Sequence, residues 1–166
     1  MPDRLITHLR HIDLAVPDHG KQLDFFTGVW GLTAEHSDTG LTFLAAAGSP
    51  EQYVVRLRQA PDKRVDLIAF GAAGPADVDA LAARLAADGV RLASEPGALT
   101  TPGGGHGFRF FDNEGRTVEI SSGVAARAHR KIEEEESRQL TWRAIYREFT
   151  TLSSPAMRIG QGRMHR

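Results

Sequence analysis

Apolar and polar residues alternate from Leu5 to Val16. Ile12, Leu14 and Val16 fall on one face and His11, Asp13 and Ala15 on the other, which is the period of a half-buried strand. Pro17 ends that strand, and Asp18 is placed to cap a helix running to about Val29, with Phe25, Phe26 and Val29 as its apolar stripe. Gly31 opens a turn. Three short strands are predicted near 32–35, 41–46 and 53–59, with a loop at 47–50. The same order then recurs: a strand at 65–70, a turn at 71–75, and a helix at 77–88 with Val78, Leu81 and Leu85 in phase and Gly89 at its C-terminal end. A short strand at 90–93 follows, then a glycine-rich loop at 101–107 and strands at 108–111 and 116–121 around a turn at 112–115.

The repetition is an internal repeat, in which His11-Ile-Asp-Leu-Ala-Val lines up with Asp66-Leu-Ile-Ala-Phe-Gly. Each module is a strand, a helix and three strands. The first spans about 5–60 and the second about 64–122, inside one domain of residues 1–123. A lone module leaves a sheet edge open and a face uncovered, so two must pair to bury their cores. After residue 123 the pattern changes. Residues 124–150 read as a linker, with the acidic run Glu133–Glu136, leading to an amphipathic helix that carries Trp142, Ile145, Tyr146 and Phe149 at helical spacing. Residues 151–166, with few apolar anchors, are expected to be a mobile tail.

Composition narrows the functional classes. A chain of 166 residues, 41% hydrophobic and 25% charged, suits one soluble domain with a single core. A formal net charge of -1 gives no field that would draw it to nucleic acid or a membrane surface. The chain has no cysteine, which removes disulfides, thiolate metal sites and a cysteine nucleophile. No apolar run approaches the ~18 residues of a membrane span, and the opening residues contain no apolar signal region, so a cytoplasmic location is expected.

Three stretches carry a resemblance. His11-Ile-Asp-Leu-Ala-Val-Pro-Asp, followed by Leu23-Asp-Phe-Phe and Trp30-Gly-Leu, resembles the opening strand and helix of the vicinal-oxygen-chelate superfamily, which includes glyoxalases, bleomycin resistance proteins and extradiol dioxygenases. Asp66-Leu-Ile-Ala-Phe stands where a second module begins. The third stretch, Phe108-Arg-Phe-Phe-Asp-Asn-Glu-Gly-Arg-Thr-Val-Glu-Ile, resembles the closing hairpin and is the most specific of the three. The chain is most similar to one domain of a type I extradiol ring-cleaving dioxygenase. The resemblance implies an α+β fold in which two βαβββ modules form a cupped mixed sheet around a divalent metal. Extradiol enzymes hold iron(II) or manganese(II) with two histidines and one glutamate, leaving positions for a catechol-type aromatic diol and dioxygen. Family members commonly pair, so a homodimer is expected. A full-length dioxygenase would begin a second such domain after Gly123. Here the pattern stops, as it would in a truncated or frame-shifted form.

The positions that match the family's ligands are His11, Arg56, Asp66 and Glu119. Their neighbours Ile12, Val55, Leu67 and Val118 are apolar, so alternation would turn all four polar side chains into one cup. On one reading His11, Asp66 and Glu119 bind the metal, Arg56, Tyr53 and Arg109 contact a small aromatic substrate, and His106 in the glycine-rich loop acts as acid or base. On the other, Arg56 closes a metal-free cup by pairing with Asp66 and Glu119, since a guanidinium has no lone pair for a metal. The chain would then have no cofactor and would serve as a non-catalytic module of the dioxygenase N-terminal type, or as a small-molecule binder of the bleomycin-resistance type. The glycine-rich loop is not a phosphate cradle, because no Gly-Lys-Ser/Thr follows it. His8 is expected to be exposed.

Overall fold

The computed structural model describes residues 5–127. The expected amphipathic helix around Trp142–Phe149 and the tail beyond it lie outside the described residues. Ten elements follow in chain order: β1 (Ile6–Val16), α1 (His19–Gly28), β2 (Thr33–Asp38), β3 (Leu41–Ala45), β4 (Val55–Gln59), β5 (Arg64–Ala72), α2 (Pro75–Ala87), β6 (Leu92–Ala98), β7 (His106–Phe111) and β8 (Thr117–Ser122). The chain is therefore α+β, built from two βαβββ modules. Their strands form one mixed sheet in the order β2-β3-β4-β1-β5-β8-β7-β6. The opening strands β1 and β5 lie antiparallel at its centre, and each is flanked by a parallel partner, β4 or β8. The two modules thus share a continuous ladder and leave only β2 and β6 as edges.

The helices begin where the chemistry allows. Asp18 caps α1, its carboxylate accepting the Lys21 amide at 3.0 Å. α2 starts two residues earlier than the apolar pattern suggests, because Pro75 fits the first helical turn, where no backbone donor is needed. It ends at Ala87 with Asp88 as its C-cap, and Gly89 leaves it with φ of 81°. β6 is longer than expected and contains Pro96, which an edge strand tolerates.

Each helix covers its own module. Phe26, Leu44, Val55 and Leu57 form the core under α1, with Leu14 and Leu23 packed against it. Val78, Ala82, Phe108, Val118 and Ile120 form the core under α2. Full burial of a side chain such as Phe108 contributes about 1.5–3 kcal/mol. Since Leu14 and Val118 face the helices, alternation turns His11, Asp13, Glu119 and Ser121 to the opposite face. That face is the cup.

Candidate functional site

Four buried residues meet at the centre of the cup. His11 and Asp13 sit two apart on β1, so the strand period places them on one face. Asp13 Oδ1 lies 3.0 Å from His11 Nδ1. With that nitrogen protonated, Nε2 of the neutral ring accepts the Tyr53 hydroxyl at 3.1 Å. Tyr53 also packs its ring on the imidazole, centroids 4.3 Å apart. Glu119 Oε1 is 3.9 Å from His11 Nε2. Burial, with the Asp13 and Glu119 carboxylates nearby, pushes the Tyr53 phenol above its usual 10.0.

Every carboxylate around this centre already has an arginine. Arg56 Nη2 is 2.7 Å from Asp13 Oδ2. Arg109 donates through both Nε and Nη2 to Glu119 Oε2, each at 2.8 Å. Arg10, itself buried, holds Glu51 Oε2 through Nε at 2.9 Å and Nη2 at 2.6 Å. Glu51 also meets His8 Nε2 at 2.9 Å. Burial raises the Glu51 carboxyl, but the hydrogen bonds from His8 and Arg10 outweigh it and hold the group below its usual 4.5. Asp13, Glu119 and Glu51 are thus balanced one for one by Arg56, Arg109 and Arg10. The space left among His11, Tyr53, Glu119 and Ser121 is about 10 Å³, room for about one water molecule.

The structure brings some of the expected residues together and separates others. His11, Glu119, Tyr53, Arg56 and Arg109 converge on the cup. Asp66 does not. Its Oδ2 is taken by Arg58, at 2.8 Å from Nε and 2.7 Å from Nη2, and its Oδ1 by Arg64 at 2.8 Å. The reason is register. His11 stands opposite Ala69 on β5, and Ala69 stands opposite Glu119 on β8. The residue in line with both is therefore an alanine, three positions or roughly 10 Å of strand beyond Asp66. A bulge between Asp13 and Leu14 drops Asp66 out of the β1–β5 ladder. Leu67, expected to point away, stands opposite Asp13 instead. Arg56 likewise pairs with Asp13 rather than with Asp66 and Glu119. His106 opens β7 outside the cup, its Nε2 2.7 Å from Asp79 on α2. His8 is exposed as expected. Sequence reasoning assigned no role to Asp13, Arg10 and Ala69. The His-x-Asp spacing on one strand face was the available signal for Asp13.

Residues 8–120 match the family model described as the Glyoxalase/Bleomycin resistance protein/Dioxygenase superfamily. The chain belongs to this superfamily. Among solved structures, it is 42% identical to a Mn(II)-bound glyoxalase from Novosphingobium aromaticivorans, with a TM-score of 0.74, covering 79% of this chain and 44% of that one. A homoprotocatechuate 2,3-dioxygenase from Arthrobacter globiformis is 24% identical with a TM-score of 0.70, over 82% of this chain and 42% of that one. An extradiol ring-cleaving dioxygenase from B. fuscum is 22% identical with a TM-score of 0.69, over 78% and 36%. The chain spans less than half the length of each of these structures. No curated protein matches it.

The superfamily's divalent metal can be tested against the donors present. His11 is oriented by Asp13 as a ligand histidine is oriented by a carboxylate behind it, and Glu119 is a suitable acid. These are two donors, and the strand position in line with them offers a methyl group. Asp13 cannot be the third, because it meets Nδ1 while Glu119 lies on the Nε2 side, and the two ring nitrogens diverge. Among the described residues no group of three His, Asp or Glu side chains is placed to share an ion. The arginines also remove the net negative charge that would favour a dication. The residues do not fit the metal. None of the helices among the described residues is long and apolar enough to cross a membrane.

Proposed function

We propose that this chain carries a non-catalytic, metal-free module of the superfamily, one that supports a separate catalytic domain. The observation behind this reading is the row His11–Ala69–Glu119, in which the middle ligand is missing and the flanking acid is bound to Arg109. Ring cleavage of a catechol-type diol by the extradiol route needs a facial set of three donors that leaves positions open for substrate and dioxygen. The described residues supply two. A sequestering role of the bleomycin-resistance type would use the cup between paired subunits; within one chain, the cavity of about 10 Å³ beside His11 and Glu119 does not hold an aromatic ring. The small aromatic substrate and the iron(II) or manganese(II) belong, on this proposal, to a partner domain with its ligands intact. The length of the solved relatives, more than twice the matched segment, supports it.

The test is to incubate the purified chain anaerobically with iron(II), admit air and add catechol. No ring-cleaved product is expected. Sustained turnover that disappears in His11→Ala would overturn the proposal.

A further inference from the structure

The glycine-rich loop at 101–107, which is no phosphate cradle, has a structural use. After β8 the chain turns at Gly123, with φ of 65°, and Val124–Arg127 runs back across the loop toward the first module. Ala125 donates its amide to the Gly103 carbonyl at 2.9 Å. The Gln52 side chain donates to the Ala125 carbonyl at 2.8 Å, and the Arg127 amide donates to the Pro50 carbonyl at 2.8 Å. The Arg127 guanidinium pairs with Glu35 on β2. One short segment is thus fastened to the second module at Gly103 and to the first at Glu35, Pro50 and Gln52.

Its largest apolar side chain faces the site. Val124 lines the cup cavity beside Leu99, Thr101 and Pro102, opposite His11 and Glu119. The loop is shaped around it. A Cβ on Gly103 would stand 2.6 Å from Val124 Cγ1, and one on Gly105 would stand 2.7 Å from Val124 Cγ2 and 2.7 Å from the Ser122 carbonyl. Both glycines have positive φ, 89° and 104°. A side chain at 103 would displace the valine, and one at 105 would press on the Ser122 carbonyl as well.

We infer that Gly123–Arg127 is a strap that closes the cup, and that its release gives small solutes access to His11, Tyr53 and Glu119. The fastenings are few and lie at the surface, whereas the floor of the cup belongs to the central strands. Local opening of the strap therefore leaves the sheet folded. The inference does not depend on metal, so its failure leaves the metal-free reading standing.

Hydroxyl-radical footprinting, read by peptide mass spectrometry, tests it. Tyr53 reports access to the cup, and fully buried Phe108 reports the integrity of the fold. In the parent, Tyr53 is expected to be protected relative to exposed Trp30. The double variant Gln52→Ala, Arg127→Ala loses the side-chain fastenings, and its Tyr53 oxidation is expected to rise several-fold with Phe108 unchanged. Gly103→Ala, whose Cβ meets the Val124 and Gln52 side chains of the contact, should give the same gain. Two results overturn the strap. One is unchanged Tyr53 oxidation in the double variant while amide exchange at Ala125 and Arg127 has accelerated. The other is a parent Tyr53 as reactive as Trp30.

Discussion

At the scale of single residues, the cup is a set of charges that must be counted in pairs. Arg56→Leu strands Asp13, whose side chain is only 4% exposed. Breaking a buried pair costs about 3–5 kcal/mol. Arg56 keeps 23% of its side chain exposed, so the expected loss is about 3 kcal/mol, the low end of that range. Adding Asp13→Asn should recover most of it, because the amide removes the stranded charge and still accepts from His11 Nδ1. Urea melts of the four proteins in the cycle measure this, and purely additive costs would contradict the pairing. Tyr53 gives a pH signature. Its folded pKa is raised by burial above the unfolded 10.0, so its contribution to stability is intact below about pH 10 and is lost as pH climbs further. The parent should therefore lose stability above pH 10 more steeply than Tyr53→Phe, as followed by thermal melts across that range. Equal slopes would mean that the phenol is not held neutral by the fold.

At the scale of elements, β7 approaches β8 closely at Gly107. A Cβ on Gly107 would lie 2.8 Å from the Ile120 carbonyl and 2.9 Å from the Ser121 Cβ, backbone and near-backbone atoms that cannot step aside. Gly107→Ala is expected to cost about 1–3 kcal/mol by overpacking. Gly71→Ala meets only the far end of the His8 ring, at 2.4 Å, and that exposed side chain can swing away. It should cost under about 1 kcal/mol. Equal denaturation midpoints for the two variants would contradict this contrast. The elements themselves were largely legible from sequence, because alternation, Pro17, Asp18 and Gly89 are local signals. Register was not. The bulge that ejects Asp66 from the β1–β5 ladder leaves no mark in the hydrophobic pattern, so aligning Asp66 with His11 erred by three residues. Ala69, which carries no chemistry, could not announce that it fills the ligand row. Of the site, His11 and Glu119 were legible as residues of the polar strand face, because alternation with Ile12 and Val118 fixes that face within β1 and β8. The partners of the arginines depend on which strands are neighbours, and composition does not encode that.

At the scale of the whole molecule, the superfamily architecture is retained while the chemistry at its centre has changed. Two modules still share one sheet, the helices still cover one face, and the other face still gathers polar side chains. Those side chains now form arginine–carboxylate pairs around a histidine held by Asp13 and Tyr53. The most direct measurement of this account is a Mn(II) titration of the purified chain near neutral pH, following the paramagnetic resonance of the free ion. The account predicts that free Mn(II) persists from the first addition, with no equimolar uptake and no difference between the parent and His11→Ala. Equimolar uptake by the parent that is lost in His11→Ala and in Glu119→Gln would contradict it.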